Sequence, residues 1–122
     1  MKNYNTFTSF SVSDMEKAKG FYTETLEMDE ISMLDQGVIM VNTGGDTRFM
    51  IYQKENHTPA DFTVLNFEVD NLETVVDHLK NKGVTFEKVE EANEKGIAEM
   101  GPVMAAWTRD PAGNWIGFMQ YK

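Results

Sequence analysis

Two histidines, His57 and His78, are the side chains best suited to general-base chemistry or metal ligation near neutral pH. His57 lies in a polar stretch just before Pro59, and His78 lies beside the apolar stripe of a predicted helix. A histidine metal site needs further ligands and supporting partners, which the sequence does not show. We therefore predict that both histidines are solvated surface residues.

Other catalytic motifs are also missing from the sequence. The chain has no cysteine, which excludes thiolate zinc sites and a cysteine nucleophile. No serine nucleophile with a base, phosphate-binding glycine loop or dinucleotide fingerprint is visible. Catalysis therefore has no obvious residues to carry it.

Binding residues can be sought through the alternation of side chains along the predicted strands, because successive residues of a strand point to opposite faces. One face is almost wholly apolar and is predicted to be core. Its members are Phe10, Val12, Phe49, Ile51, Leu65, Phe67, Val69, Ile116 and Phe118.

The opposite face mixes aromatic, methionine and hydrogen-bonding side chains, a composition typical of a small-molecule cleft. Its members are Phe7, Ser9, Ser11, Arg48, Met50, Tyr52, Val64, Asn66, Glu68, Trp115, Gly117 and Met119. A sheet with one face in water would look similar. The apolar area that Tyr52 and Trp115 would expose on an open face favours a covered site.

The elements that position these residues repeat once along the chain. FSVSDMEKA at 10–18 and FEVDNLETV at 67–75 match in pattern at an offset of 57 residues (67 − 10). Each segment begins as a strand and passes directly into a helix, and the helices are predicted over 13–26 and 71–82.

The helix ends are predicted from local chemistry. The predicted N-terminal caps are Ser13 with Glu16 and Asp70 with Glu73. The second helix should stop at Lys82-Gly83, with the glycine in the left-handed conformation. The first helix has no such glycine and should end less sharply.

Short strands separated by turn signals, such as Gly44-Gly45-Asp46, follow each helix. The predicted strands are 30–34, 38–42 and 48–53 in the first half, and 84–89, 103–109 and 115–121 in the second. Between the last two, Asp110 should accept from backbone amides and Gly113 should take φ > 0, which predicts a hairpin. The βαβββ order occurs twice, which indicates the α+β class.

Composition limits the possible partners. A length of 122 residues is typical of one domain, and 11 basic against 20 acidic residues give a net charge of −9. That charge repels nucleic acid and favours neutral or cationic partners. With no signal peptide and no apolar span long enough for a bilayer, we expect a protein that does not enter membranes, and the lack of cysteine favours the cytoplasm.

The segments VSDMEKAKGFYTETL, VDNLETVVDHLKNKGV and DPAGNWIGF together resemble the vicinal oxygen chelate superfamily, which includes glyoxalase I, bleomycin-resistance proteins and extradiol dioxygenases. The resemblance covers nearly the whole chain. It implies a single domain over 1–122, with module 1 at about 1–55 and module 2 at about 61–122. The two βαβββ modules would form a curled mixed sheet around a cleft, with the helices on its outer face.

In metal-using members of this superfamily, each half offers one ligand early in its first strand and one in its last strand. The resemblance places Phe7, Met50, Val64 and Gly117 at those four positions. None is an oxygen or imidazole donor, and the soft sulfur of Met50 does not suit hard divalent ions. The resemblance therefore implies that this chain holds no metal and no other cofactor.

Three functions stay open, because the superfamily hosts several chemistries. The first is a metal-free homodimeric binding protein that holds an apolar or cationic small molecule. The second is a metal-dependent lyase, isomerase or dioxygenase, such as a lactoylglutathione lyase, whose ligands lie elsewhere. The third is an accessory interaction module in which Trp107 and Trp115 cover a partner surface. For the first, the expected ligand-binding residues are Phe7, Ser9, Arg48, Met50, Tyr52, Val64, Asn66, Glu68, Trp115, Gly117 and Met119.

Overall fold

The computed structural model describes residues 1–44 and 46–122, with Glu30 described in its backbone only. Gly45, part of a predicted turn, lies outside the described residues. The chain divides into two compact units, Met1–Thr58 and Pro59–Lys122. Among the described residues, no helix has the length and apolar character needed to cross a membrane.

The first unit contains four strands and one helical stretch. They are β1 (Thr8–Val12), α1 (Met15–Gly20), a π-helical segment (Phe21–Thr25), β2 (Glu30–Asp35), β3 (Val38–Asn42) and β4 (Arg48–Gln53). The sheet order is β1-β4-β3-β2. β1 runs parallel to β4, and the other neighbours are antiparallel.

The second unit repeats this scheme with β5 (Thr63–Glu68), α2 (Leu72–Asn81), β6 (Ala98–Met100), β7 (Val103–Arg109) and β8 (Trp115–Tyr121). Its sheet order is β5-β8-β7-β6, again with one parallel pair, β5 and β8. The prediction of an α+β fold with two βαβββ modules is confirmed.

Both predicted N-caps are wrong by one residue. Asp14 caps α1 by accepting from the Lys17 amide at 3.2 Å, and Asn71 caps α2 by accepting from Thr74 at 3.0 Å. Both caps have extended backbones, so each strand-like segment continues one residue further than we predicted. Ser13 and Asp70 lie before the caps, and the predicted capping boxes do not form.

The first helix ends more sharply than predicted. Glu27 takes φ +62°, the left-handed conformation that a glycine commonly provides at a helix end. The amides of Leu26 and Met28 donate to the carbonyls of Phe21 and Tyr22 at 2.8 and 3.0 Å, so the last carbonyls are satisfied. The second helix ends as predicted, with Gly83 at φ +95°.

The predicted strand at 84–89 is also wrong. Phe86 makes only an isolated bridge to Thr108, after which the chain leaves the sheet. Asn93 then closes the loop, because its side-chain oxygen accepts from Lys95 and Ile97 at 2.9 and 3.0 Å. This turn brings the chain back as β6, which we did not predict.

The apolar face forms the core of each unit, with one difference between them. Phe10, Val12, Phe49, Ile51, Ile116 and Phe118 are buried as predicted. In contrast, Leu65, Phe67 and Val69 of the second unit are only half-buried.

The hairpin before β8 is held by hydrogen bonds within its own turn, as the local sequence predicted. One oxygen of the buried Asp110 carboxylate accepts from the amides of Ala112 and Asn114, both at 2.9 Å. Its other oxygen accepts from the Asn114 side chain at 3.0 Å. Gly113 has φ +85°, which confirms the predicted left-handed conformation.

Gly113→Ala should lower the free energy of unfolding by on the order of 1 kcal/mol, because a Cβ is disfavoured at positive φ. That Cβ would also lie 3.2 Å from Pro59 Cγ. Urea denaturation would measure the change. As a matched control, Gly20→Ala adds a methyl group to helical backbone with no heavy atom within 4 Å and should stabilise the protein slightly. A Gly113→Ala variant as stable as the parent would contradict the assignment.

Candidate functional site

In the first unit, the predicted site residues share one face of the sheet. Ser9 pairs with Met50 across the parallel strands, and Met50 pairs on its other side with Met40. Phe7 lies just before β1, and the Arg48 guanidinium lies over its ring, 5.0 Å from the centroid. Tyr52 continues the same row of side chains along β4.

The prediction that both histidines are solvated is wrong for His57. Its Nδ1 atom lies 2.6 Å from the Ser11 hydroxyl oxygen, and its ring is half-buried. The two residues are 46 positions apart, so only the folded chain shows the pair. This hydrogen bond holds the end of the first unit against β1. His78 is exposed on α2, as predicted.

In the second unit, the predicted site residues Asn66, Glu68, Gly117 and Met119 form two rows across β5 and β8. Asn66 pairs with Gly117, and Gly117 pairs on its other side with Trp107 of β7. The next row joins Glu68 to Met119.

At the start of β5, a register shift between Thr63 and Leu65 leaves Val64 without a ladder partner. Trp115 is paired with Thr63 instead. The alternation that placed Val64 on the site face therefore does not extend through this bulge, and Thr63 faces the same cavity as Trp115.

Gly117 is buried, and a side chain there would have to displace its neighbours. A Cβ there would collide with the Asn66 side-chain oxygen and would lie 3.2 Å from Trp107 Nε1. An amide oxygen and an indole N–H thus occupy the space next to Gly117.

A cavity of about 620 Å³ opens on this side of the second unit. Both tryptophans of the chain contribute to its wall. Its lining consists of Asp61, Phe62, Thr63, Val89, Glu90, Glu91, Ala98, Glu99, Met100, Trp107 and Trp115. Aromatic and methionine side chains thus meet several carboxylates from the loop after Phe86 and from the segment before β5.

The charges around this cavity are partly neutralised. Lys122 lies 2.7 Å from a Glu99 carboxylate oxygen and, chiefly through that hydrogen bond, lowers the pKa of Glu99. The Lys95 ammonium binds Glu73 at 2.9 Å and Asp77 at 3.0 Å on α2, and these hydrogen bonds raise the Lys95 pKa. Lys95 therefore ties the loop that carries Glu90 and Glu91 to the helix.

Of the predicted site residues, only Trp115 lines this cavity. Trp107 lies on the same face of the sheet as Gly117, which alternation along β7 could have shown. The loop residues had no comparable signal, because their position depends on the hydrogen bonds of Asn93 and on the unpredicted β6.

At the four positions to which the resemblance assigns metal ligands, the side chains do not suit a divalent metal. Phe7, Val64 and Gly117 offer no side-chain donor, and Met50 offers a thioether. Within residues 1–44 and 46–122, no three His, Cys, Asp or Glu side chains gather into a group that could hold a metal ion.

Comparison with known proteins assigns the family. The family model described as the Glyoxalase/Bleomycin resistance protein/Dioxygenase superfamily matches residues 6–118. This chain belongs to that superfamily. No curated protein matches it significantly.

Several solved structures share the fold. A glyoxalase family protein from Bacillus anthracis is 24% identical with a TM-score of 0.78, over 100% of both chains. TnmS3, an antibiotic binding protein from Streptomyces sp., is 26% identical with a TM-score of 0.72, over 98% of both chains. A lactoylglutathione lyase from Agrobacterium tumefaciens is 14% identical with a TM-score of 0.72, over 95% of this chain and 92% of that one.

Gly117→Ala should destabilise the protein by about 1 kcal/mol or more, because the added Cβ displaces Asn66 or the Trp107 indole. The cost should fall by at least about 0.5 kcal/mol in an Asn66→Ala background, where the colliding oxygen is gone. Denaturant unfolding of the four variants of this cycle would measure the coupling. Strictly additive effects would show that Asn66 does not occupy this space.

Proposed function

We propose that this protein is a metal-free small-molecule-binding member of the superfamily. One observation carries the proposal: both tryptophans line a single cavity on one face of the second sheet. Binding cavities for small molecules have volumes of roughly 300–1,000 Å³ and mainly apolar or aromatic walls with a few polar groups. The cavity in the second unit has a volume in this range, and six of its eleven lining residues are apolar or aromatic, beside four carboxylates.

The absence of metal chemistry rests on the side chains at the superfamily's ligand positions. At Gly117 the argument is strongest, since glycine has no side chain and Asn66 and Trp107 Nε1 lie directly beside it. A divalent ion would gain too few oxygen or nitrogen ligands to replace its hydration shell. In this proposal, the site binds its ligand through packing and hydrogen bonds.

The ligand is apolar or cationic. Trp107, Trp115, Phe62 and Met100 offer apolar and aromatic surface, and carboxylates such as Glu91 stand beside them. The TnmS3 protein, described as antibiotic binding, shows that the fold supports ligand binding in another chain at 26% identity. Beyond the cavity, the proposal includes Phe7, Ser9, Arg48, Met50, Tyr52, Asn66, Glu68, Gly117 and Met119 as ligand-binding residues. It leaves out Val64, which the register shift takes off this face.

We also propose a cytoplasmic homodimer. The chain has no cysteine, as is common in a reducing compartment. On the edge strand β2, Met33 and Leu34 are 53% and 57% exposed, and burial against a second copy would remove this apolar surface from water. Sedimentation equilibrium would test the assembly state.

A thermal-shift screen with aromatic metabolites, cationic antibiotics and divalent metals tests the function. A ligand at 100 times its dissociation constant adds about 2.7 kcal/mol, which raises the melting temperature by roughly 10 °C for a chain of this size. Trp107→Ala should abolish the shift, because it removes one cavity wall. Tyr4→Ala is the control, since it deletes a 70% exposed ring outside the cavity lining.

In this screen, divalent metals should not change the melting temperature. Elemental analysis of gently purified protein should find no stoichiometric metal. If the protein contained near-stoichiometric zinc, nickel, iron or manganese that is lost in Glu68→Gln, the result would contradict the binding function and support the enzymatic one. A ligand shift that persists in Trp107→Ala would place the ligand outside this cavity.

A further inference from the structure

Trp115 makes a cation–π contact with Arg109 of the same chain. The guanidinium carbon of Arg109 lies 4.2 Å from the centroid of the Trp115 ring system. The two residues are direct cross-strand partners in β7 and β8, so the register of the sheet fixes this contact. Glu87 holds the guanidinium from its other side, with 2.8 Å between Arg109 Nε and the carboxylate oxygen.

Trp115 also lines the cavity, whereas Arg109 does not. The guanidinium occupies one face of the indole, so a ligand that stacks on Trp115 must use the opposite face. For such a ligand the order of groups is Glu87, Arg109, Trp115 and then the ligand. A charge behind the indole thus acts on whatever stacks in front of it.

A cation is attracted to an indole face by the negative charge of the π-system. In this protein, the Arg109 guanidinium already makes this cation–π contact with Trp115. A second cation in van der Waals contact with the opposite face would lie about 8 Å from the guanidinium, where two like charges at an exposed site repel by enough to weaken binding about two- to fivefold. An uncharged ring stacks on the same surface without this repulsion.

We propose that Arg109 determines the charge of the ligand group that stacks on Trp115, and that this group is an uncharged, electron-rich flat ring. This inference rests on the proposed binding function and narrows its ligand class. A positively charged group of the same ligand belongs at the carboxylates of Asp61, Glu90 and Glu91, which line the same cavity. Arg109 is a specificity-determining residue that touches no ligand and acts through Trp115.

Two matched bicyclic probes test this inference by titration calorimetry: uncharged 1-naphthol and 1-methylquinolinium, which carries a fixed positive charge on the same ring skeleton. The measured quantity is the ratio of their dissociation constants, cation over neutral. Arg109→Met keeps the aliphatic stem and removes the charge, so the ratio should fall about two- to fivefold. Glu87→Gln unmasks the Arg109 charge, so the ratio should rise.

Lys80→Met is the charge control, because it removes one positive charge from an exposed position of α2. It should leave the ratio unchanged. In a Trp115→Leu background, the effect of Arg109→Met should shrink, because the indole that holds the probe ring at this distance from Arg109 is absent. Arg109→Gln provides a second charge-removing variant if the Met variant folds poorly.

The outcomes separate this inference from the proposed function. If both probes bind but the ratio is the same in parent, Arg109→Met and Arg109→Gln, the role of Arg109 is overturned while the binding function stands. A change of equal size in Lys80→Met would also overturn it, since overall charge would then explain the effect. If neither probe nor any screened small molecule binds, the binding function fails and this inference fails with it.

Discussion

The row Asn66, Gly117 and Trp107, which crosses three neighbouring strands of the second unit, is the constraint on which the site depends. The middle residue has no side chain, the Asn66 side-chain oxygen occupies the space that a Cβ would need, and Trp107 Nε1 would lie 3.2 Å from that Cβ. The absence of a side chain at Gly117 therefore lets the Trp107 indole come close to β8. The aromatic wall of the cavity depends on this packing arrangement.

The charges around the cavity are mixed in sign, whereas the net charge of the chain is strongly negative. At −9 overall, the protein favours cationic ligands at long range. Close to the cavity, Lys122 binds Glu99 and Arg109 lies against Trp115. At contact distance these local charges outweigh the distant ones, because exposed charges beyond about 10 Å are largely screened by salt. A ligand's charge is therefore selected by its immediate neighbours.

Most structural features that depend on neighbouring residues could be predicted from the sequence. Features that depend on contacts between distant segments could not. Gly113 and the Asp110 turn were predictable because all of the groups involved lie within a few residues. The caps were missed by one position because adjacent residues, such as Ser13 and Asp14, can both accept from a helix amide.

The prediction of a strand at 84–89 was wrong, because the periodicity of the sequence could not show that the chain leaves the sheet after Phe86. The cavity depends on that departure, since the loop beyond it supplies Val89, Glu90 and Glu91. His57 illustrates the same limit, because its partner Ser11 lies 46 residues away. Alternation, by contrast, correctly placed Asn66 and Gly117 on the same face of the sheet, but it could not give the register that makes them partners.

The central claim is that a ligand, and not a metal, occupies the site beside Gly117. The two indole N–H signals of Trp107 and Trp115 in a ¹⁵N-correlated NMR spectrum test this most directly, because the chain has no other tryptophan. The account predicts that a small molecule identified by thermal shift moves both signals, and that stoichiometric Mn²⁺ leaves the Trp107 signal sharp. Selective broadening of the Trp107 signal by stoichiometric Mn²⁺ would place a metal beside Gly117 and contradict the account.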